Sequence, residues 1–116
     1  MASQMKRGDI WFADLSPSVG SEINKRRPVL IVSNNANNRA GSTLTVLPIT
    51  SNVERIYPFE VALSIEASGL PKISKAQAQQ IRTIARERIV GSIIGQLDGK
   101  AMDLIDQAIR LHLALD

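Results

Sequence analysis

The run Val29-Leu30-Ile31-Val32 constrains this chain more than any other stretch. Side chains on a strand alternate between its two faces, and here both faces are apolar. Such a strand is buried on both sides or lies at an interface. The chain has 116 residues to supply that cover, enough for one domain with a single modest core. The flanking segments read as further strands. Candidates are 9–14, 28–33, 43–50, 57–65, 76–85 and 89–97, each rich in β-branched or aromatic residues. The fourth shows the cleanest alternation, with Tyr57, Phe59, Val61, Leu63 and Ile65 on one face and Glu60, Ser64 and Glu66 near the other.

Loop signals separate these segments. Residues 16–25 hold Ser, Gly and Pro turn formers, and Asn34-Asn35-Ala36-Asn37-Asn38 reads as a turn cluster, because Asn tolerates left-handed backbone. Gly69-Leu70-Pro71 breaks the chain again. Asp98 is placed to cap a helix over 100–115 whose apolar stripe holds Ala101, Ile105, Ala108 and Ile109, with Asp106 and Arg110 spaced to pair on the wet side. The expectation is a mainly β fold: a small, strongly curved antiparallel β-barrel with a C-terminal α-helix. Residues 1–4 read as an N-terminal extension and 5–116 as the domain.

The residue inventory prunes the chemistry. No apolar run is long enough to span a bilayer, and 1–4 lack a signal-peptide core, so a cytoplasmic location is the expectation, in keeping with the absence of cysteine. A net charge of +3 biases the chain mildly towards polyanions, so grip on a polyanion must come from a few placed cations. With no Cys and one His, a protein zinc site is close to excluded. A Ser–His or Cys–His triad has only His112, on or near the apolar stripe of the last helix, where a packed histidine is expected. Gly-rich phosphate loops are absent, and Asp9, Asp14 and Glu22 form no two-metal motif, so neither metal nor cofactor is expected.

One reaction survives this pruning. RNA carries its own nucleophile, the 2′-hydroxyl, so an enzyme need only orient it, stabilise charge at phosphorus and move two protons. An arginine and a hydroxyl suit much of that task. Arg27 is the arginine of choice, because Pro28 biases its backbone to an extended form at the mouth of the second strand. Thr50 ends the third strand with parity opposite to Leu47 and Ile49. Taken singly, Arg27 reads more readily as part of a solvated Lys25-Arg26-Arg27 turn, and Thr50 as an ordinary β-former ending a strand. Trp11, Phe12, Tyr57 and Phe59 are all expected in core packing rather than base stacking.

Taken in order, the motifs resemble the MazF/PemK toxins. Lys6-Arg7-Gly8-Asp9-Ile10-Trp11 with Asp14-Leu15 is similar to their opening strand, and Pro17-Ser18-Val19-Gly20-Ser21-Glu22 to their first loop. Arg27-Pro28-Val29-Leu30-Ile31-Val32-Ser33-Asn34, Pro48-Ile49-Thr50-Ser51 and Gln80-Ile81-Arg82-Thr83-Ile84 resemble the second, third and fifth strands, and the final helix matches too. The resemblance implies a homodimeric barrel that cuts single-stranded messenger RNA at short sequences. It implies 2′,3′-cyclic phosphate and 5′-hydroxyl ends, and neutralisation by an antitoxin with an acidic flexible tail. It assigns catalysis to Arg27 and Thr50, and nominates Ser21, Glu22, Asn34, Ser51, Gln80 and Arg82 as RNA contacts, with Gln80 and Arg82 on one strand face. One branch of the family has an Arg and an Asp where this chain has Gln77 and Gln79, so the Arg–Thr branch is implied. The general base stays open among Arg27, Glu22 and a water-relayed group. Two alternatives stand beside this reading: a same-fold toxin that inhibits DNA gyrase without an active site, and a barrel-type RNA-binding module without catalysis.

Overall fold

A computed structural model describes residues 4–16, 19–20 and 25–116. The elements run β1 (Asp9–Asp14), β2 (Arg26–Ile31), α1 (Asn35–Ala40), β3 (Thr43–Thr50), β4 (Glu60–Leu63), α2 (Ile65–Ser68), β5 (Ser74–Gln77), β6 (Arg82–Ala85), β7 (Ile89–Gln96) and α3 (Gly99–Leu113). All pairings among the described residues are antiparallel, in the order β4–β5–β3–β2–β1–β7, with β6 also on β3. The mainly β fold with a terminal helix is as expected. The barrel is a loose one: among the described residues β4 and β7 end the sheet path without pairing to each other.

Burial on both faces of β2 proves literal. Leu30 joins a core with Ile10, Leu47, Ile49, Val61 and Leu63, roofed by Met102, Ile105 and Ala108 of α3. Val29 and Ile31 join a second core with Trp11, Ala13, Leu15, Leu44, Val46 and Ile84. Burying side chains of this size gives up roughly 1.5–3 kcal/mol of hydration cost each, so the two cores are the main source of stability. Helix α3 starts as the sequence predicts, with the Asp98 carboxylate accepting from the Ala101 N–H at 2.8 Å. Asp106, however, pairs with Arg7 rather than Arg110, which ties α3 to the approach of β1. His112 is exposed and tilts against Phe59, with ring centroids 6.1 Å apart, so it is a surface residue of α3 rather than a buried one.

Three other segments depart from expectation. The Asn cluster forms a short helix: Asn34 caps α1 by accepting from the Asn37 N–H at 2.8 Å, and buried Asn38 bonds Ser33 through its amide. Asparagine's preference for caps, rather than for left-handed turns, decides the outcome. The fourth strand shrinks to Glu60–Leu63. Tyr57 and Phe59 stack on each other outside it, and Ile65 enters α2 instead of the core. The fifth strand is broken in the middle. Ile49 pairs with Ala76 and Val46 with Arg82, so three steps along β3 face six steps along the 76–82 segment. The surplus is a 3₁₀ turn over Ala78–Gln80. Gln80 therefore leaves the strand face on which Arg82 lies.

Close approach of α2 to β7 depends on two glycines. Gly69 takes φ 76 at the helix end, a region that disfavours side chains. A Cβ on Gly95 would lie 2.1 Å from the Ser68 carbonyl oxygen.

Candidate active site

Strand register brings Arg27 and Thr50 to the same end of the β2–β3 ladder. Pairs Val29–Pro48, Leu30–Leu47 and Ile31–Val46 join β2 to β3. Arg27 lies two residues before Val29 and Thr50 two residues after Pro48, so both stand just beyond the Val29–Pro48 end of that ladder. Parity puts both on the face of Val29 and Val46. Both are half-buried, which restricts their rotamers while leaving polar atoms accessible. The Thr50 Oγ1 accepts from the Asn52 N–H at 3.2 Å, so its hydroxyl proton points elsewhere.

Beside Arg27 lies a cavity of about 180 Å³. Phe12, Pro28, Ile49, Leu70 and Pro71 give it apolar walls, while Arg27, Lys72, Ser51 and Ser74 supply the polar atoms. Its described lining has two cations and no carboxylate, so it favours an anionic group next to a flat apolar one. Sequence reasoning missed Lys72 and Ser74, whose only signal was the break at Gly69-Leu70-Pro71. It also placed Phe12 in the core. A register irregularity in β1 between Ile10 and Phe12 turns that ring outward, leaving it 38% exposed at the cavity.

The remaining expected contacts spread out. Ser51 lines the cavity. Asn34 does not: its side chain caps α1 at the opposite end of β2, roughly 20 Å away at strand rise, beside a separate open groove with Arg7, Thr45 and Arg110. Gln80 sits in the 3₁₀ turn. Arg82 donates from Nη1 to the Leu15 carbonyl at 3.4 Å. Ser21 and Glu22 lie outside the described residues.

Next to Thr50 the structure holds a buried ionic cluster that alternation had put on the wet face. Lys75 is the cross-strand partner of Thr50 on β5. Its Nζ donates to Glu60 Oε1 at 2.9 Å and to the Arg55 carbonyl at 2.6 Å. Glu60 also accepts from the Tyr57 N–H at 2.9 Å, Gln77 at 3.1 Å and Gln79 at 2.6 Å. Burial alone would raise its pKa. The bonds from the Tyr57 N–H, Gln79, Lys75 and Gln77 outweigh it and lower the carboxyl to about 2. A carboxylate with this many donors is stable inside the fold, which is why Glu60 is buried. The arrangement turns both glutamine amides towards Glu60, leaving Gln77 Oε1 and Gln79 Oε1 buried without a partner among the described residues. The cluster fixes β5 and the 3₁₀ turn against the end of β3, and so holds the backbone around Thr50.

Comparison with known proteins adds a family to this geometry. Residues 6–113 match the family described as PemK-like, MazF-like toxin of type II toxin–antitoxin system. The chain is 45% identical to the endoribonuclease MazF9 of Mycobacterium tuberculosis, with 96% of this chain and 98% of the relative covered. It is 40% identical to the endoribonuclease EndoA of Bacillus subtilis, covering 96% of each. A mycobacterial endoribonuclease solved in complex with its cognate antitoxin superposes with a TM-score of 0.76 at 25% identity, over 99% of this chain and 98% of that one.

Proposed function

The chain belongs to the PemK-like, MazF-like toxins of type II toxin–antitoxin systems, and from that premise we propose that it is a sequence-selective endoribonuclease, cutting single-stranded messenger RNA without metal or cofactor. The observation that carries this reading is a small cavity lined by Arg27 and Lys72 at the end of the β2–β3 ladder where Thr50 also stands. The relatives named as endoribonucleases support it.

In the proposed reaction the 2′-hydroxyl oxygen attacks the adjacent phosphorus, and the bond from phosphorus to the 5′-oxygen breaks. The 2′-hydroxyl loses its proton and the departing 5′-oxygen gains one. The products are a 2′,3′-cyclic phosphate and a 5′-hydroxyl. Arg27 suits the charge that builds on the non-bridging oxygens, because its planar fork spans two of them. The Thr50 hydroxyl donates to the same phosphate. Arg27, Glu22 or a relayed water takes the first proton; a Glu22→Gln variant with the wild-type rate removes Glu22 from that set. Ser21, Glu22, Asn34, Ser51, Gln80 and Arg82 are the proposed RNA contacts, with Ser51 nearest the Arg27 cavity. We further propose a homodimer in the cytoplasm, silenced by an antitoxin whose acidic flexible tail covers the cations of the site.

The test is incubation of the purified chain with single-stranded RNA in EDTA. Cleavage with 2′,3′-cyclic phosphate ends is expected. Intact RNA across many sequences and enzyme concentrations would overturn the nuclease reading, and cleavage that stops on chelation would overturn the metal-free mechanism.

A further inference from the structure

Arg27 shares its cavity with three residues that no step of the proposed reaction uses: Phe12, Lys72 and Ser74. Each is set in place by its own surroundings. The register irregularity in β1 turns Phe12 outward, so its flat ring is presented at the cavity. Lys72 stands in the turn between α2 and β5. Leu70 is buried at the start of that turn, and its N–H donates to Ser68 Oγ at 3.1 Å. At the end of the turn the buried Ser74 hydroxyl donates to the Lys72 carbonyl at 3.0 Å. The backbone under Lys72 is thus held on both sides, while the residue itself is exposed at the cavity rim. Among the described residues no carboxylate pairs with its ammonium. Ser74, its proton spent on the Lys72 carbonyl, offers the cavity only lone pairs.

These features select an occupant. Two cations and no carboxylate among the described lining favour an anion. The Phe12 ring, with Pro28 and Pro71 beside it, favours a flat ring, since any base can lie on an aromatic face. The Ser74 oxygen, as an acceptor, favours an N–H on that ring's edge. An anion, a flat ring and an edge N–H are what one nucleotide carries. Size agrees: sites that enclose a whole small ligand run to about 300–1,000 Å³. A space of about 180 Å³ holds one ring, not a run of bases. We infer that the cavity is a single-nucleotide subsite next to the cut: Phe12 stacks one base, Ser74 accepts from its edge, and Lys72 joins Arg27 on the adjoining phosphate. The inference rests on the nuclease reading above, yet the subsite can be measured by binding alone.

The test is fluorescence anisotropy with a 2′-O-methyl RNA, which has no 2′-hydroxyl to attack. Its sequence is the one the wild type cuts, or a mixed one if it cuts none. An abasic site is walked along the strand one nucleotide at a time. Wild type should lose about tenfold in affinity at the position whose base fills the cavity. Phe12→Ala should bind the intact strand about tenfold more weakly, yet bind the strand abasic at that position as the wild type does. Phe12→Leu keeps apolar volume without a flat face, and should show the same loss. The ratio of two strands on one variant does not depend on how much of it is folded. A merely structural Phe12 therefore leaves that ratio at its wild-type value at every position, and this result would overturn the inference. Lys72→Ala should lower the salt slope of binding by about one, and Lys72→Arg should restore it. Equal slopes for wild type and Lys72→Ala would also overturn it, as would a free nucleoside monophosphate that displaces the intact strand at the strand's own affinity, since that assigns the cavity to a soluble nucleotide. If the wild type binds the strand but cuts no all-ribose RNA, the nuclease reading fails and the abasic walk still decides the subsite. If it binds no RNA, both fall.

Discussion

Acid should weaken this fold through one carboxylate, and the size of the effect follows from the cluster around Glu60. The carboxyl titrates near 4.5 when free and near 2 in the fold. A depressed folded-state value means the stabilisation is complete above the unfolded value, and is lost as pH falls from 4.5 through about 2. At about 1.4 kcal/mol per tenfold change in proton affinity, the full effect is on the order of 3 kcal/mol. The Glu60 side chain is only 1% exposed, so little of this is screened by solvent. A domain of this size loses roughly 4 °C of melting temperature per kcal/mol, giving a shift of about 10 °C. The assay is thermal unfolding by circular dichroism between pH 7 and pH 2, for wild type and Glu60→Gln. At pH 7 the variant should melt about 10 °C lower, because Lys75 Nζ then lies in the interior without its carboxylate partner. As pH falls below 4.5 the gap should narrow, to less than half its size near pH 2. Other carboxylates act equally on both proteins and cancel in the difference. A gap that stays constant from pH 5 to pH 2 would refute the assignment of this stability to the Glu60 cluster.

Further outcomes follow from the site and the sheet. Arg27→Ala should cut kcat/KM for RNA by at least 10²–10³, typical for one transition-state charge donor, with an unchanged circular dichroism spectrum; a fully active variant would remove Arg27 from the chemistry. Thr50→Ala should lose less, about tenfold to a hundredfold, and Thr50→Ser should recover most of it; a loss in Thr50→Ser equal to that in Thr50→Ala would show that the hydroxyl is not what matters. Gly95→Ala should destabilise by roughly 2 kcal/mol or more, since its methyl meets the Ser68 carbonyl and α2 must shift away; chemical denaturation checks this, and a wild-type midpoint would contradict the packing. RNA binding by Arg27→Ala should fall off less steeply with salt than that of the wild type, because one phosphate contact is gone; identical slopes would place Arg27 away from the backbone.

Much of the fold was legible because its signals are local. Both parities of Val29 to Val32 are apolar, and a two-sided core is the physical result. Asp98 precedes an amphipathic run, and it caps α3. The errors arise where distant partners decide. Nothing near Glu60 in sequence announces that Lys75, Gln77 and Gln79 will reach it, so a charged residue in an alternating strand reads as wet. The pairing of Asp106 with Arg7 beats the local option of Arg110 for the same reason. At the site, Arg-Pro and the strand-end Thr were visible as residues, but that they reach the same end of the β2–β3 ladder is a matter of register. The cavity walls, Lys72 and the outward Phe12 depend on a turn and a bulge that no periodicity encodes.

The place of β1 in the sheet has a consequence for how the protein is born. This strand needs β2 on one side and β7 on the other, with Asp9 paired to Gln96 and the Leu97 N–H bonded to the Gly8 carbonyl. On a ribosome adding about 5–20 residues per second, β1 waits roughly 4–16 s for its second neighbour. The roof of the first core, Met102, Ile105 and Ala108, emerges later still. Through that interval the nascent chain carries a bare strand edge and an uncovered apolar sheet. A chain cut short before Gln96 therefore lacks both the second neighbour of β1 and the roof of the first core.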